Sequence, residues 1–169
     1  MSVVAARVYL NRVEIAADSI LVFGASKRTD NFTKLVKEGD LIIGGCGNAE
    51  ELSIMWSFIA NHKPLDASVK GITDFIIEFG IWKAQKLNMS QQIQNQYLII
   101  YEGHLFEIEG YFVHEIENYV AIGAGADFAT AALFLSRTPE EAVQTAAALS
   151  CFVAHPIVQY VQYKGDAKE

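Results

Sequence analysis

The first quarter of the chain alternates short apolar runs with polar turns. Ser2–Tyr9 is rich in β-branched residues and reads as a strand. Asn11-Arg12 is a turn signal, and Val13–Ile20 is the return strand of a hairpin. After a looser stretch, Ala25–Asn31, a further strand is predicted over Phe32–Lys37, followed by a turn at Glu38-Gly39-Asp40. Leu41–Cys46 is apolar throughout and reads as a buried strand, and Gly47-Asn48 opens a helix.

The period then changes. Asn48–Asn61 carries an N-capping asparagine, acids in its first turn, and Leu52, Met55, Trp56 and Ile59 on one face, which predicts an amphipathic helix. His62-Lys63-Pro64 ends it. A second helix is predicted from about Ala67 to Leu87, with Ile72, Phe75, Ile76, Phe79 and Trp82 inward, against the weakening effect of Gly71 and Gly80. Ser90–Gln96 is polar and reads as a loop. Tyr97–Tyr101 and His104–Glu109 form a hairpin about Glu102-Gly103, and strands follow at Tyr111–Ile116 and Tyr119–Gly123. Ala126–Leu135 is helical, and Pro139-Glu140-Glu141 starts the last helix. Ile157–Tyr163 alternates as a closing strand before a charged tail. Runs of strands separated by helix pairs predict stacked sheets with helices outside, in a single domain, residues 1–169.

Composition narrows the function classes. The net charge of −7 leaves no basic face for nucleic acid or for an anionic membrane surface. No run is apolar enough to span a membrane, and the N-terminus lacks a signal-peptide layout. Two cysteines make no disulfide framework, so the expected setting is cytoplasmic. The 51% apolar content is high for a monomer of this size and points to burial in an oligomer.

Candidate chemistry gathers in the first half-domain. Ser2, Asp18 and Lys34 are evenly spaced along the chain, each on a different predicted strand. Around them stand Ala16-Ala17-Asp18-Ser19, Phe32-Thr33-Lys34-Leu35 and Gly44-Gly45-Cys46-Gly47. This pattern resembles the proteasome β-subunit and HslV-type peptidase family of N-terminal-nucleophile (Ntn) hydrolases. Ala121–Ala129 and Thr138–Val143 are similar to later segments of that family, so the resemblance spans nearly the whole chain. It implies an α+β fold, a four-layer αββα sandwich of two mostly antiparallel sheets flanked by helix pairs.

It also implies roles. Ser2 would be the nucleophile once Met1 is removed, in place of the more usual threonine. A serine hydroxyl needs an adjacent base, and a free α-amine titrating at roughly 7.7–8.0 can serve. Lys34 would favour the neutral amine and the developing alkoxide, Asp18 would hold Lys34, and the Gly47 N–H would receive the oxyanion. Leu21, Phe32, Gly45 and Ala49 would form the substrate pocket; their apolar lining predicts cleavage after hydrophobic residues. The resemblance further implies a homo-oligomeric ring acting on peptides or unfolded proteins, and admits an ATPase unfoldase partner that no residue here identifies. It requires no cofactor and no metal.

Departures from the family pattern support another reading. Ala124, in Gly123-Ala124-Gly125, stands where the family has a supporting serine, and Ser150 and Val153 stand where it has an aspartate and a serine. A catalytically inactive homologue serving as an assembly or interaction protein is therefore the alternative, and a non-proteolytic amidohydrolase is a third.

Other clusters carry less. Gly123–Phe128 begins like a dinucleotide fingerprint but lacks its last glycine and the following acid. Cys46 with His155 is a nucleophile–base pair only if the buried thiol is activated. His104, His114, Glu102, Glu107 and Glu115 alternate with apolar residues and read as the wet face of a hairpin rather than a metal site. Glu50-Glu51 and Glu140-Glu141 read as solvated charges at helix N-termini.

Overall fold

The computed structural model describes residues 2–23, 26–28 and 32–165. Strands β1 (Val4–Val8) and β2 (Arg12–Asp18) form the expected hairpin, and a small second hairpin follows, β3 (Leu21–Phe23) with β4 (Ser26–Arg28). The looser stretch over 25–31 is thus strand at Ser26–Arg28; its other positions lie outside the described residues. Then come β5 (Leu35–Glu38), β6 (Leu41–Cys46), α1 (Ala49–Ile59) and α2 (Val69–Leu87). The second half runs β7 (Gln96–Tyr101), β8 (His104–Glu109), β9 (Phe112–Ile116), β10 (Tyr119–Ile122), α3 (Ala126–Phe134), α4 (Pro139–Leu149) and β11 (Ile157–Tyr163).

Two antiparallel sheets result, a four-stranded one in the order β10-β1-β2-β11 and a five-stranded one in the order β5-β6-β7-β8-β9. Strand alternation gives each sheet two apolar faces. Val4, Ala6, Val13 and Ile15 turn toward Leu35, Ile42, Leu98 and Ile100, making the layer between the sheets. Val3, Ala5 and Ala16 turn the other way, toward Ala129, Ala142, Val143 and Ala146 on α3 and α4. The five-stranded sheet turns Leu41, Ile43, Tyr97 and Ile99 toward Leu52, Phe58, Phe75 and Phe79 on α1 and α2. This is the αββα sandwich that the sequence predicts. Because both faces of each sheet are covered, the inner strands read as near-continuous apolar runs.

The helix ends follow their local chemistry. Asn48 accepts from the Glu50 amide at 2.7 Å to start α1, Ser68 caps α2, and Thr138 with Glu141 forms a reciprocal capping box at α4. Gly80, which weakens the prediction of α2, is a close approach. A side chain there would meet the Tyr111 hydroxyl at 2.5 Å and the Gln91 carbonyl at 2.7 Å, so the helix backbone rests directly on neighbouring chain. Among the described residues, no helix is long and apolar enough to cross a membrane.

Candidate active site

Asp18 ends β2 where that strand pairs with the start of β1, and it is wholly buried. Its Oδ1 accepts from the Val3 amide at 2.9 Å, and its Oδ2 accepts from the Ile20 amide at 3.4 Å. Lys34 enters from the extended segment just before β5 and donates from Nζ to both carboxylate oxygens at 2.9 Å. The Lys34 carbonyl is fixed by the Gly45 amide at 2.9 Å, which ties this segment to β6. Burial lowers the Lys34 ammonium from its ordinary value, and the Asp18 charge opposes that fall. The pair sits at a depth where the partners, not water, hold the charges.

Ser2 lines the same cleft as Lys34 and is 3% exposed. Its carbonyl accepts from the Gly125 amide at 3.1 Å. Gly123, at φ +93°, comes so close that an added Cβ would lie 2.5 Å from the Ser2 carbonyl oxygen and 2.7 Å from the Cys46 sulfur. The Ser2 side chain lies beside the Cys46 thiol, which donates to the Ile122 carbonyl at 3.6 Å. Burial pushes that thiol up to about 12, so it stays neutral beside the lysine. His155 is exposed whereas Cys46 is buried, an arrangement without the thiolate that a nucleophile–base pair needs.

A cleft of about 590 Å³ opens over these groups. It is lined by Ser2, Ile20, Leu21, Val22, Phe32 and Lys34 from the first strands and by Gly47, Asn48, Ala49, Glu50, Leu52 and Ser53 at the start of α1. The structure therefore brings Ser2, Asp18, Lys34 and Gly47 to one place, with Leu21, Phe32 and Ala49 on the same cleft. Gly45 sits behind the wall: a side chain there would run into Leu52 at 2.4 Å and Tyr97 at 2.9 Å. Gly47 has φ +138°, and its Cβ position is filled by the Asn95 carboxamide, 2.1 Å from Oδ1.

Two groups beside the cleft escape the sequence reading. Glu51 is not a solvated helix-end charge. It is 2% exposed and accepts from Lys83 Nζ at 2.7 Å, making a second buried ion pair. Asn95, placed by the sequence in a polar loop, is equally buried and hydrogen-bonds the Asn48 backbone. One signal for the pair is visible in the sequence, because the apolar stripe Ile72, Ile76, Phe79 continues at helical spacing onto Lys83.

Elsewhere, Val153 is buried against Gly125, so its surroundings are apolar. His104 pairs with Glu115 at 2.7 Å on an exposed hairpin face. Among the described residues, no three of His, Cys, Asp and Glu stand together as a metal-holding group.

The sequence matches no protein-family model and none of the curated proteins. Solved structures do match, at low identity and nearly full length. BPH from Thiobacillus denitrificans in complex with epoxomicin superposes with a TM-score of 0.86 at 21% identity, covering 96% of this chain and 98% of that one. A second BPH structure gives 0.86 at 20% identity, over 97% and 99% of the two chains. HslV from Trypanosoma brucei gives 0.71 at 18% identity, over 94% and 98%. The fold of this chain, end to end through both sheets and both helix layers, is that of the HslV- and proteasome-like proteins.

Proposed function

We propose that the chain is a proteasome-like N-terminal-nucleophile hydrolase, a peptidase that uses Ser2 after removal of Met1. The observation that carries this reading is the buried Lys34–Asp18 ion pair, with Lys34, Ser2 and Gly47 lining one cleft. In the proposed reaction, Ser2 Oγ attacks the substrate carbonyl carbon and its proton passes to the freed α-amine. The oxyanion is received by the Gly47 N–H, whose direction is set before substrate arrives. Collapse breaks the C–N bond, the departing amine takes the proton, and water then cleaves the Ser2 ester by the same route. Lys34 remains a fixed positive charge throughout, favouring both the neutral amine and the alkoxide.

The cleft walls contributed by Ile20, Leu21, Val22, Phe32 and Ala49 support a preference for hydrophobic residues on the acyl side of the cut bond. Assembly into a homo-oligomeric ring is supported by Phe134 and Leu135, 72% and 71% exposed at the end of α3, together with exposed Leu149 at the end of α4 and Phe152 beyond it. Such a ring would act in the cytoplasm on peptides or unfolded protein. The test is hydrolysis of a series of peptidyl amides carrying hydrophobic, basic or acidic residues at the cut. Turnover of the hydrophobic member that is lost in Ser2→Ala supports the reading. Preference for a charged member contradicts the pocket, and absence of turnover across the series contradicts the peptidase.

A second reading, an inactive homologue acting in assembly or interaction, is favoured by the apolar packing of Val153 against Gly125 and by Ala124. It predicts retained Met1 together with intact oligomers, which mass and sedimentation measurements separate from the first.

A further inference from the structure

We infer that Asn95 is a positioning residue for the reaction proposed above: its side-chain carboxamide clamps the Asn48 backbone and thereby aims the Gly47 N–H into the cleft. The inference rests on that reading for its catalytic consequence, but its geometry stands alone.

Asn95 Oδ1 accepts from the Asn48 amide at 2.6 Å, and Asn95 Nδ2 donates to the Asn48 carbonyl at 2.9 Å. Both backbone groups of one residue are thus held by one planar side chain. The orientation of the carboxamide is forced, because an amide N–H must face oxygen and a carbonyl must face the NH₂. Asn48 is also the N-cap of α1, and its carbonyl receives the Leu52 amide at 3.1 Å. The clamp therefore joins the turn to the helix.

The same carboxamide fills the space where residue 47 would carry a side chain, which explains why glycine stands there and why its φ is +138°. The peptide between Gly47 and Asn48 cannot rotate without losing the Asn48 N–H bond, and the peptide after Asn48 cannot rotate without losing the carbonyl bond. The Gly47 N–H belongs to the preceding peptide, joined to the clamped one through the Gly47 Cα, and the carboxamide packed against that Cα holds the linking torsion, φ +138°.

Behind Asn95 is a buried polar scaffold. Glu51 Oε1 accepts from the Asn95 amide at 3.0 Å and from the Tyr97 hydroxyl at 3.2 Å. Glu51 Oε2 accepts from Lys83 Nζ at 2.7 Å, and Lys83 also donates to the Gln92 carbonyl at 2.7 Å. Asn95, Glu51, Lys83 and Tyr97 are all essentially out of solvent. An apolar cluster of equal volume would be the cheaper way to stabilise this corner. What the polar set adds is direction, and a reaction site tolerates only about 0.5 Å of misplacement.

The experiment compares Asn95→Ala and the isosteric Asn95→Asp in the full-length protein. Amide hydrogen exchange at Asn48 is followed by NMR, and kcat and KM are measured for peptidyl amide hydrolysis. In Asn95→Ala, exchange at Asn48 accelerates at least tenfold, and kcat falls at least tenfold while KM stays within twofold. Asn95→Asp keeps the acceptor but loses the donor, so Asn48 remains protected while kcat still falls. Unaltered exchange at Asn48 in Asn95→Ala overturns the clamp. A kcat within twofold of wild type in both variants overturns its positioning role, as does a loss expressed wholly in KM. A wild-type protein that turns over no amide removes the hydrolase reading by itself, and the exchange measurement then decides the clamp alone.

Discussion

Replacing Asp18 by asparagine is the sharpest perturbation the site offers. The change is isosteric and keeps an oxygen for the Val3 amide, but it removes the charge that holds Lys34 Nζ at 2.9 Å. The ammonium is then stranded at a position that is 2% exposed. Removing one partner of such a pair costs about 3–5 kcal/mol. For a domain of this size each kcal/mol lowers the Tm by about 2–4 °C, so the expected loss is roughly 6–20 °C at pH 7. The pH dependence follows from Lys34. Burial already lowers it from the ordinary 10.5, and Asp18 is what opposes the fall. Between its folded value and 10.5 the unfolded chain holds the proton that the folded chain has released, so stability rises with pH across that window. Asp18→Asn extends the window downward, and its deficit relative to wild type therefore shrinks as the pH is raised from about 7 toward 10. The double variant Asp18→Asn/Lys34→Met, which removes the stranded charge, melts above Asp18→Asn alone. Thermal melts of the three proteins across that pH range are the assay. A single variant melting within about 2 °C of wild type at pH 7, or a deficit independent of pH, refutes the argument that the two side chains carry a coupled buried charge.

Further outcomes follow from the same geometry. Gly47→Ala places a Cβ against the Asn95 carboxamide at an unfavourable φ, so it should lose activity and about 1–3 kcal/mol of stability, read by urea melts. A melt equal to wild type would show that the turn is loose. Alkylation of the native protein at pH 8 should modify the exposed Cys151 and spare Cys46, whose thiol burial pushes up to about 12; peptide mass mapping checks it, and equal labelling of both contradicts it. Glu51→Gln leaves the Lys83 ammonium buried without its counter-charge and should destabilise by about 3–5 kcal/mol, against almost nothing for Glu50→Gln at the exposed neighbouring position. Equal melts for the two glutamine variants would place Glu51 in solvent after all.

Much of this architecture is written in residue patterns. The alternation of β1 and β2, the capping asparagine before α1 and the Thr138–Glu141 box before α4 each state an element in local terms, and each is found. The convergence of Ser2, Asp18 and Lys34 was legible through family resemblance, since nothing in their spacing alone dictates contact. What stayed hidden is long-range polar pairing. Glu51 looks like any acid in a first helical turn, because its partner Lys83 and its donor Asn95 lie far along the chain on other elements. Asn95 itself sits in a run of glutamines and asparagines whose composition signals solvent. The short β3–β4 hairpin likewise carries too few residues to show a period.

Catalysis by the proposed route needs Ser2 as the N-terminal nucleophile, and intact-mass analysis of the native protein before and after treatment with an epoxyketone probe tests this most directly. The predicted result is a chain lacking Met1 that gains one inhibitor mass, with no gain in Ser2→Ala. A chain that quantitatively keeps Met1, or that takes up no inhibitor, contradicts the catalytic account.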